Sequence, residues 1–253
     1  PVSPVIKTLE SLVLAFANYA IRFGKWHYFL HVVKQPVPVR ESGLVFFSGL
    51  SMSVTPGKVG ELLKSYLLNK TSGVPPSASV PVVVAERLTD LISLILLAAF
   101  GVATLGYGWD IVAVAAGLCG LVIVFALWKS AGTFAPGLLA RLPLLKGKKS
   151  WLEDLQKTLY TLVGPKSMLF GTVLSVAAWF AECAAFALVL KAAGVPLSLA
   201  NATFIYALGT IAGAVTMLPG GLVATEASMV FMLVEFFAAC SRAEAVTSVL
   251  IVR

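Results

Sequence analysis

Residues 43–70 read GLVFFSGLSMSVTPGKVGELLKSYLLNK, so that a Pro-Gly pair separates an apolar stretch from an amphipathic one. The apolar part is about 12 residues long and rises about 18 Å at about 1.5 Å per residue, which is too short for a hydrocarbon core of about 30 Å. Proline followed by glycine ends a helix. We therefore predict two short helices that meet at Pro56 and Gly57 as a re-entrant hairpin.

The composition of the chain places this hairpin in a membrane. Of its 253 residues, 58% are hydrophobic and only 12% are charged, whereas an average soluble domain has about 25% charged residues. So few charges cannot cover a water-facing surface, which excludes a soluble enzyme, and so many apolar residues exclude a disordered chain. We predict an all-α, polytopic membrane helix bundle.

Apolar segments of spanning length recur along the chain, and basic residues indicate their orientation. The predicted spans are about 5–33, 80–105, 111–128 and 167–190. Residues 129–166 carry seven Lys or Arg, whereas 106–110 carry none. The positive-inside rule therefore predicts that 129–166 is a cytoplasmic connection, with a surface helix around 151–163.

A second break, MLPGGLVATE at 217–226, is predicted to enter from the opposite face of the membrane. The order of long span, proline-bearing linker, broken helix, Pro-Gly and glutamate thus occurs twice with opposite topology. Such an inverted repeat with interrupted helices is typical of a transporter binding site. Alternatively, each Pro-Gly pair is only a tight turn between helices, and the longer second hairpin forms two full spans.

These features predict one membrane domain over 1–253. Its first inverted half is 1–128 and its second is 167–253, joined by the basic connection 129–166. The chain begins without methionine and ends within an apolar run. We therefore expect it to be trimmed at both ends.

Three motifs resemble those of the lysylphosphatidylglycerol synthase transmembrane (flippase-like) family. They are a Pro-Gly-basic-x-Gly-Glu stretch, a Glu-Arg-x-x-Asp stretch on the next helix, and a late Pro-Gly-Gly stretch that ends in glutamate. The matching residues are Pro56, Gly57, Lys58, Gly60 and Glu61; Glu86, Arg87 and Asp90; and Pro219, Gly220, Gly221 and Glu226. The chain departs from the family pattern at Val223, where a third glycine is usual. The resemblance implies an integral membrane domain that moves or handles lipid.

The candidate binding residues are ionisable groups placed beside the breaks or within apolar segments, where an unpaired charge is costly. Arg87 and Asp90 are three residues apart and share a helix face, and Arg87 is suited to clamp a lipid phosphate. Glu61 and Glu226 follow the two breaks, and Glu182 interrupts an apolar span. The full candidate set comprises Lys58, Glu61, Glu86, Arg87, Asp90, Glu182 and Glu226, with break backbone from Pro56, Gly57, Gly60, Pro219, Gly220 and Gly221.

Other interpretations of these residues stay open at this point. Arg87 and Asp90 also fit a snorkelling pair near the surface, and a carboxylate at a helix N-terminus is favoured by the helix dipole alone. Lys58 and Lys64 attract anionic lipid or merely follow the positive-inside rule. Arg22, Lys25 and Trp26 fit an interfacial anchor, with a headgroup contact as the alternative.

The leading functional expectation is a lipid flippase or lipid-transporting protein for a phospholipid, such as an aminoacylated phosphatidylglycerol or a related anionic or polyprenyl-linked lipid. A membrane partner of a lipid-modifying transferase and a non-lipid secondary transporter are the alternatives. The sequence contains no catalytic, nucleotide or metal motif, so we expect no enzymatic activity, no cofactor and no metal.

The expected partners are the bilayer, its lipid as substrate, and a homo-oligomer or a lipid-modifying synthase. The net charge of +7 is interpreted as a topology signal, so no nucleic acid is expected. The expected location is a multi-pass position in a bacterial or archaeal cell membrane.

Overall fold

The computed structural model describes residues 4–52, 55, 60–106, 109–110, 112–114, 116–117, 120, 149–195, 197–216 and 218–253. Across these ranges the regular structure is helical and contains no strand, which confirms the all-α prediction. The helices are α1 (Pro4–Val32), α2 (Val39–Ser51), α3 (Leu63–Ser72), α4 (Pro76–Leu105), α5 (Lys149–Leu162), α6 (Pro165–Ala192), α7 (Leu199–Val215), α8 (Ala224–Phe231) and α9 (Arg242–Val252). A 3-10 turn, Pro219–Gly221, precedes α8, and a π-helical segment, Met232–Phe236, follows it.

Within the described residues, three helical segments are long and apolar enough to cross a membrane. They are Pro76–Leu105, Pro165–Ala192 and Pro219–Phe236. The first two confirm the helices expected over 80–105 and 167–190. The predicted segment 5–33 is helical as α1, Pro4–Val32, but is not one of these three. Most of the predicted span 111–128, and residues 129–148 of the basic connection, lie outside the described residues.

The long helices begin and end where the sequence offers a start and a stop. α4 begins at Pro76, where a missing N–H costs nothing, and its C-cap is Gly106 at φ +76°. α6 likewise begins at Pro165. The hydroxyl of Ser198 caps α7 by accepting a hydrogen bond from the Asn201 backbone N–H. These boundaries are therefore local consequences of the sequence.

Two apolar clusters hold the bundle together. One joins α4, α6, α7 and α9 around side chains such as Phe186 and Phe204. The other joins α1, α2, α3 and α4 around Trp26, Phe29 and Phe46. α4 contributes to both clusters, so its polar residues lie at the boundary between the two halves of the core.

The first predicted hairpin is built from two short helices, as expected. α2 has 13 residues and α3 has 10, which correspond to about 20 Å and 15 Å. Pro56, Gly57 and Lys58 lie outside the described residues. At the second break the backbone is left-handed at Gly220 (φ +61°), Gly221 (φ +69°) and also Val223 (φ +69°). The inverted repeat, re-entrance and the division into halves stay predictions.

Candidate functional site

Seven charged side chains, five of them buried and two half-buried, form a network between α1, α4 and the start of α3, which we name the charged cluster. Asp90 lies at its centre and is 4% exposed. Its Oδ1 accepts hydrogen bonds from Lys25 Nζ at 2.6 Å and from Ser175 Oγ at 3.1 Å. Its Oδ2 lies 3.0 Å from Arg87 and 3.7 Å from Arg22. The members are Arg22, Lys25, Glu61, Lys64, Glu86, Arg87 and Asp90.

The other end of the charged cluster centres on Lys64, whose side chain is 1% exposed. Its ammonium lies 2.7 Å from Glu86 Oε2 and 3.7 Å from Glu61 Oε2. It also lies over the ring of Trp26, 4.6 Å from the centroid, so an aromatic face adds a cation–π contact. Arg87 connects the two ends, because its guanidinium is 3.4 Å from Glu61 as well as close to Asp90.

The structure confirms that Arg87 and Asp90 share one helix face, and it places Glu86 against Lys64 of the first hairpin. The interpretation of Lys25 and Trp26 as an interfacial anchor is wrong, since both are buried, at 1% and 0% exposure. Asn18, Arg22 and Lys25 recur at a spacing of four and three, which puts them on one face of α1. This polar stripe was the sequence signal that α1 faces a polar partner.

The polar side chains of this stripe on α1 find their hydrogen-bond and ion-pair partners on α4 and α6. Asn18 Nδ2 donates to the Ala178 carbonyl at 2.7 Å, while Lys25 reaches Asp90 and Ser175. A buried charge requires such partners, because its transfer from water into a low-dielectric interior is costly. The cluster therefore fixes α1, α4 and α6 relative to one another.

A cavity of about 260 Å³ lies between the charged cluster and the second helix break. Arg87 and Asp90 of α4 line one side, and Gly220 and Gly221 line the break. Further lining residues include Trp179 of α6, Thr210 of α7, Thr225 of α8 and Arg253 after α9. Two arginines from distant parts of the chain thus face the same space.

The break at the cavity is held by Arg253. Its Nε donates to Glu226 Oε1 at 2.8 Å, and its terminal nitrogen donates to the Gly220 carbonyl at 3.0 Å. Glu226 lies at the start of α8, where the helix dipole also favours its carboxylate. The ion pair therefore attaches the loop Pro219–Gly221 to the end of the chain described here.

Glu182 is separate from the charged cluster. It lies one helical turn beyond Trp179 on α6, and its Oε2 accepts a hydrogen bond from the Tyr206 hydroxyl at 3.2 Å. Tyr206, on α7, is 4% exposed. Glu61 and Glu226 thus form ion pairs with the lining residues Arg87 and Arg253, whereas Glu182 is one helical turn along α6 from the lining residue Trp179.

At the first break the structure places only part of the predicted backbone site. The Gly60 N–H donates to Thr55 Oγ1 at 2.6 Å. A side chain at position 60 would collide with the Met52 carbonyl and with Thr55. Gly60 is therefore needed for close packing just before Glu61, which matches its place in the motif.

Comparison with known proteins decides the family. The family described as "Lysylphosphatidylglycerol synthase TM region" matches residues 3–253. The chain belongs to this family. It is a membrane protein, and the resemblance read from the Pro-Gly and Glu-Arg-x-x-Asp motifs is confirmed.

Two relatives from Methanothermobacter thermautotrophicus, each named "UPF0104 membrane protein", are similar to the chain. One is 25% identical over 250 residues, covering 89% of this chain and 74% of the relative. The other is 25% identical over 253 residues, covering 89% of this chain and 72% of the relative. No solved structure matches the chain.

Proposed function

We propose that this membrane protein transports an anionic lipid, whose headgroup enters the cavity between the charged cluster and the second break. The observation that carries the proposal is the presence of Arg87 and Arg253 on the lining of one small cavity within an apolar bundle. Guanidinium groups form charge-assisted, forked hydrogen bonds with phosphate oxygens. The proposed ligand atom is therefore the lipid phosphate.

Unused donors at the cavity favour an acceptor-rich ligand. Trp179 is 7% exposed, and its indole N–H has no acceptor among the described residues. The Nε of Arg87 likewise lacks a hydrogen-bond partner there. Asp90 is the acidic residue on the lining, and Lys25, Arg22 and Arg87 all surround its carboxylate. Buried donors without partners are costly, so phosphate oxygens that reach these two N–H groups would be stabilised by them; in the structure both nitrogen atoms are covered from solvent.

The size of the cavity favours a headgroup over a whole lipid. Its volume of about 260 Å³ is just below the roughly 300–1,000 Å³ of pockets that enclose drug-sized ligands. Leu218, which lines the cavity, is 42% exposed, so the cavity borders the apolar outer surface. A headgroup inside with its acyl chains still in the bilayer fits both observations.

The proposed setting is a cell membrane that the chain crosses several times, with 129–166 on the cytoplasmic side. The role is transport without chemistry on the lipid. Phosphatidylglycerol represents the substrate class, because its phosphodiester carries one negative charge and no cation.

The test is transbilayer movement of fluorescent phosphatidylglycerol in proteoliposomes, followed by chemical quenching of the outer leaflet. Arg253→Gln should slow movement by about 10-fold or more, as loss of a charged hydrogen bond costs about 1.5–3 kcal/mol. Trp179→Phe keeps an aromatic ring at this position, removes the unused N–H and should slow movement about threefold.

Matched controls separate the site from general damage. Arg40→Gln and Trp109→Phe change exposed residues of the same types and should leave the rate unchanged. If wild-type protein moves no phosphatidylglycerol, or moves phosphatidylcholine equally fast, the proposal fails. If Arg253→Gln moves phosphatidylglycerol at the wild-type rate, the cavity is not the route of the headgroup.

A further inference from the structure

Glu182 is a carboxylate in the interior of a spanning helix without a cation of its own. It lies within about 6 Å of the midpoint of α6 along the axis, as judged from its sequence position and helical rise. Its carboxylate accepts a hydrogen bond from the neutral hydroxyl of Tyr206. By contrast Glu61, Glu86, Asp90 and Glu226 each form an ion pair.

The cations near Glu182 are engaged elsewhere. Arg22 and Arg253 act on it electrostatically, but Arg22 pairs with Asp90 and Arg253 pairs with Glu226. In the part of the chain that the structure describes, neither forms an ion pair with Glu182. Among the described residues, several charged or titratable groups surround this part of α6. Arg22, Tyr206 and Arg253 act on Glu182 directly, and Cys183 is its neighbour on α6. Lys25 and Asp90 contact Ser175 of α6, and Arg87 lines the cavity with Trp179.

The charge balance around the cavity depends on Glu182. The described ion pairs of the charged cluster and the second break combine five basic side chains with four acidic ones. Protonation of Glu182 removes one negative charge from beside these side chains, and so makes their surroundings more favourable to an anion. Since an unbalanced charge is costly inside a membrane, one monoanion in the cavity is best accommodated when Glu182 carries a proton.

We propose that Glu182, with Tyr206 as its hydrogen-bond partner, is a proton-binding site that couples proton movement to movement of the anionic headgroup. The inference rests on the proposed function and adds an energy source to it. Glu182 takes a proton from water on one side, the cavity takes one monoanion, and both leave on the other side. The pair crosses the membrane without net charge, and no covalent bond in the lipid changes.

Coupling between proton binding at Glu182 and headgroup binding in the cavity must be reciprocal. If a proton on Glu182 strengthens headgroup binding, then headgroup binding strengthens proton binding by the same factor. The Tyr206 hydroxyl donates to the ionised carboxylate, so this hydrogen bond stabilises the deprotonated form of Glu182.

The test is equilibrium binding of headgroup-radiolabelled phosphatidylglycerol to the purified protein in detergent micelles, measured between pH 5 and 9. The phosphodiester does not titrate in this range. Wild-type affinity should fall with rising pH, approaching about tenfold per unit for one linked proton. Glu182→Gln should keep the acid-pH affinity throughout, and Tyr206→Phe should move the midpoint to higher pH.

The controls and outcomes separate this inference from the proposed function. Glu235→Gln changes an exposed glutamate and should retain the wild-type pH dependence. Binding that has the same pH dependence in wild type and Glu182→Gln overturns the proton site and leaves the lipid site standing. Absence of binding at every pH overturns the proposed function itself. In proteoliposomes, a pH gradient should drive phosphatidylglycerol accumulation in one leaflet for wild type and not for Glu182→Gln.

Discussion

Replacing Lys64 by methionine tests whether the charged cluster holds the first part of the bundle together. Methionine retains most of the apolar stem, which packs so closely on Gly49 that a Cβ there would collide with it. The substitution leaves the Glu86 carboxylate, 1% exposed, without its ion-pair partner. Removing one member of a buried pair costs about 3–5 kcal/mol. We therefore expect Lys64→Met to lower the free energy of unfolding by about 3–5 kcal/mol.

A second substitution, at Glu86, tests whether the lost stability comes from the unpaired carboxylate. Glu86→Gln removes the stranded charge, so Lys64→Met/Glu86→Gln should be more stable than Lys64→Met alone by about 2 kcal/mol. Reversible unfolding in mixed micelles of increasing dodecyl sulfate content, followed by tryptophan fluorescence, measures both differences. Lys70→Met on the same helix changes an exposed lysine and should cost less than about 1 kcal/mol. A double variant less stable than Lys64→Met would refute the pairing.

Three further predictions concern the backbone and the helix packing. Val223→Gly should raise the unfolding temperature, because a β-branched residue at φ +69° is strained by about 1–2 kcal/mol; a lowered temperature would contradict this. Gly101→Ala should destabilise by about 1–3 kcal/mol, since its Cβ would lie 2.5 Å from that of Phe204; an unchanged unfolding midpoint would show that α4 and α7 are farther apart. The Ser241 backbone N–H lowers the pKa of Glu244, so Glu244→Gln should destabilise the protein at neutral pH. The stability difference should vanish as pH falls through the lowered pKa of the folded state. A pH-independent difference would exclude this capping role.

The helices and part of the site could be predicted from the sequence, because local signals encode them. Prolines at 76 and 165 mark helix starts, and apolar length indicates spanning segments. The i, i+3 spacing of Arg87 and Asp90 determines that their side chains can meet. These features need no knowledge of which helices are neighbours.

The remainder of the site depends on tertiary neighbours. Lys25 pairs with Asp90, 65 positions away along the chain, and such a long-range pairing has no local signature. The same holds for Arg253, which reaches Glu226 and the Gly220 carbonyl from beyond α9. Basic residues in an apolar helix have two physical solutions, the membrane interface or a buried counter-charge. Only the packing of α1 on α4 and α6 decides between them.

The central claim is that a lipid phosphate occupies the cavity between Arg87 and Arg253. The most direct measurement is an electron cryomicroscopy map of the protein, bound to an antibody fragment, in nanodiscs of phosphatidylglycerol. The account predicts phosphate density within hydrogen-bond distance of both guanidinium groups, with acyl chains leaving past Leu218. Headgroup density confined to the two membrane surfaces, with the cavity filled only by water or closed by side chains, would contradict it.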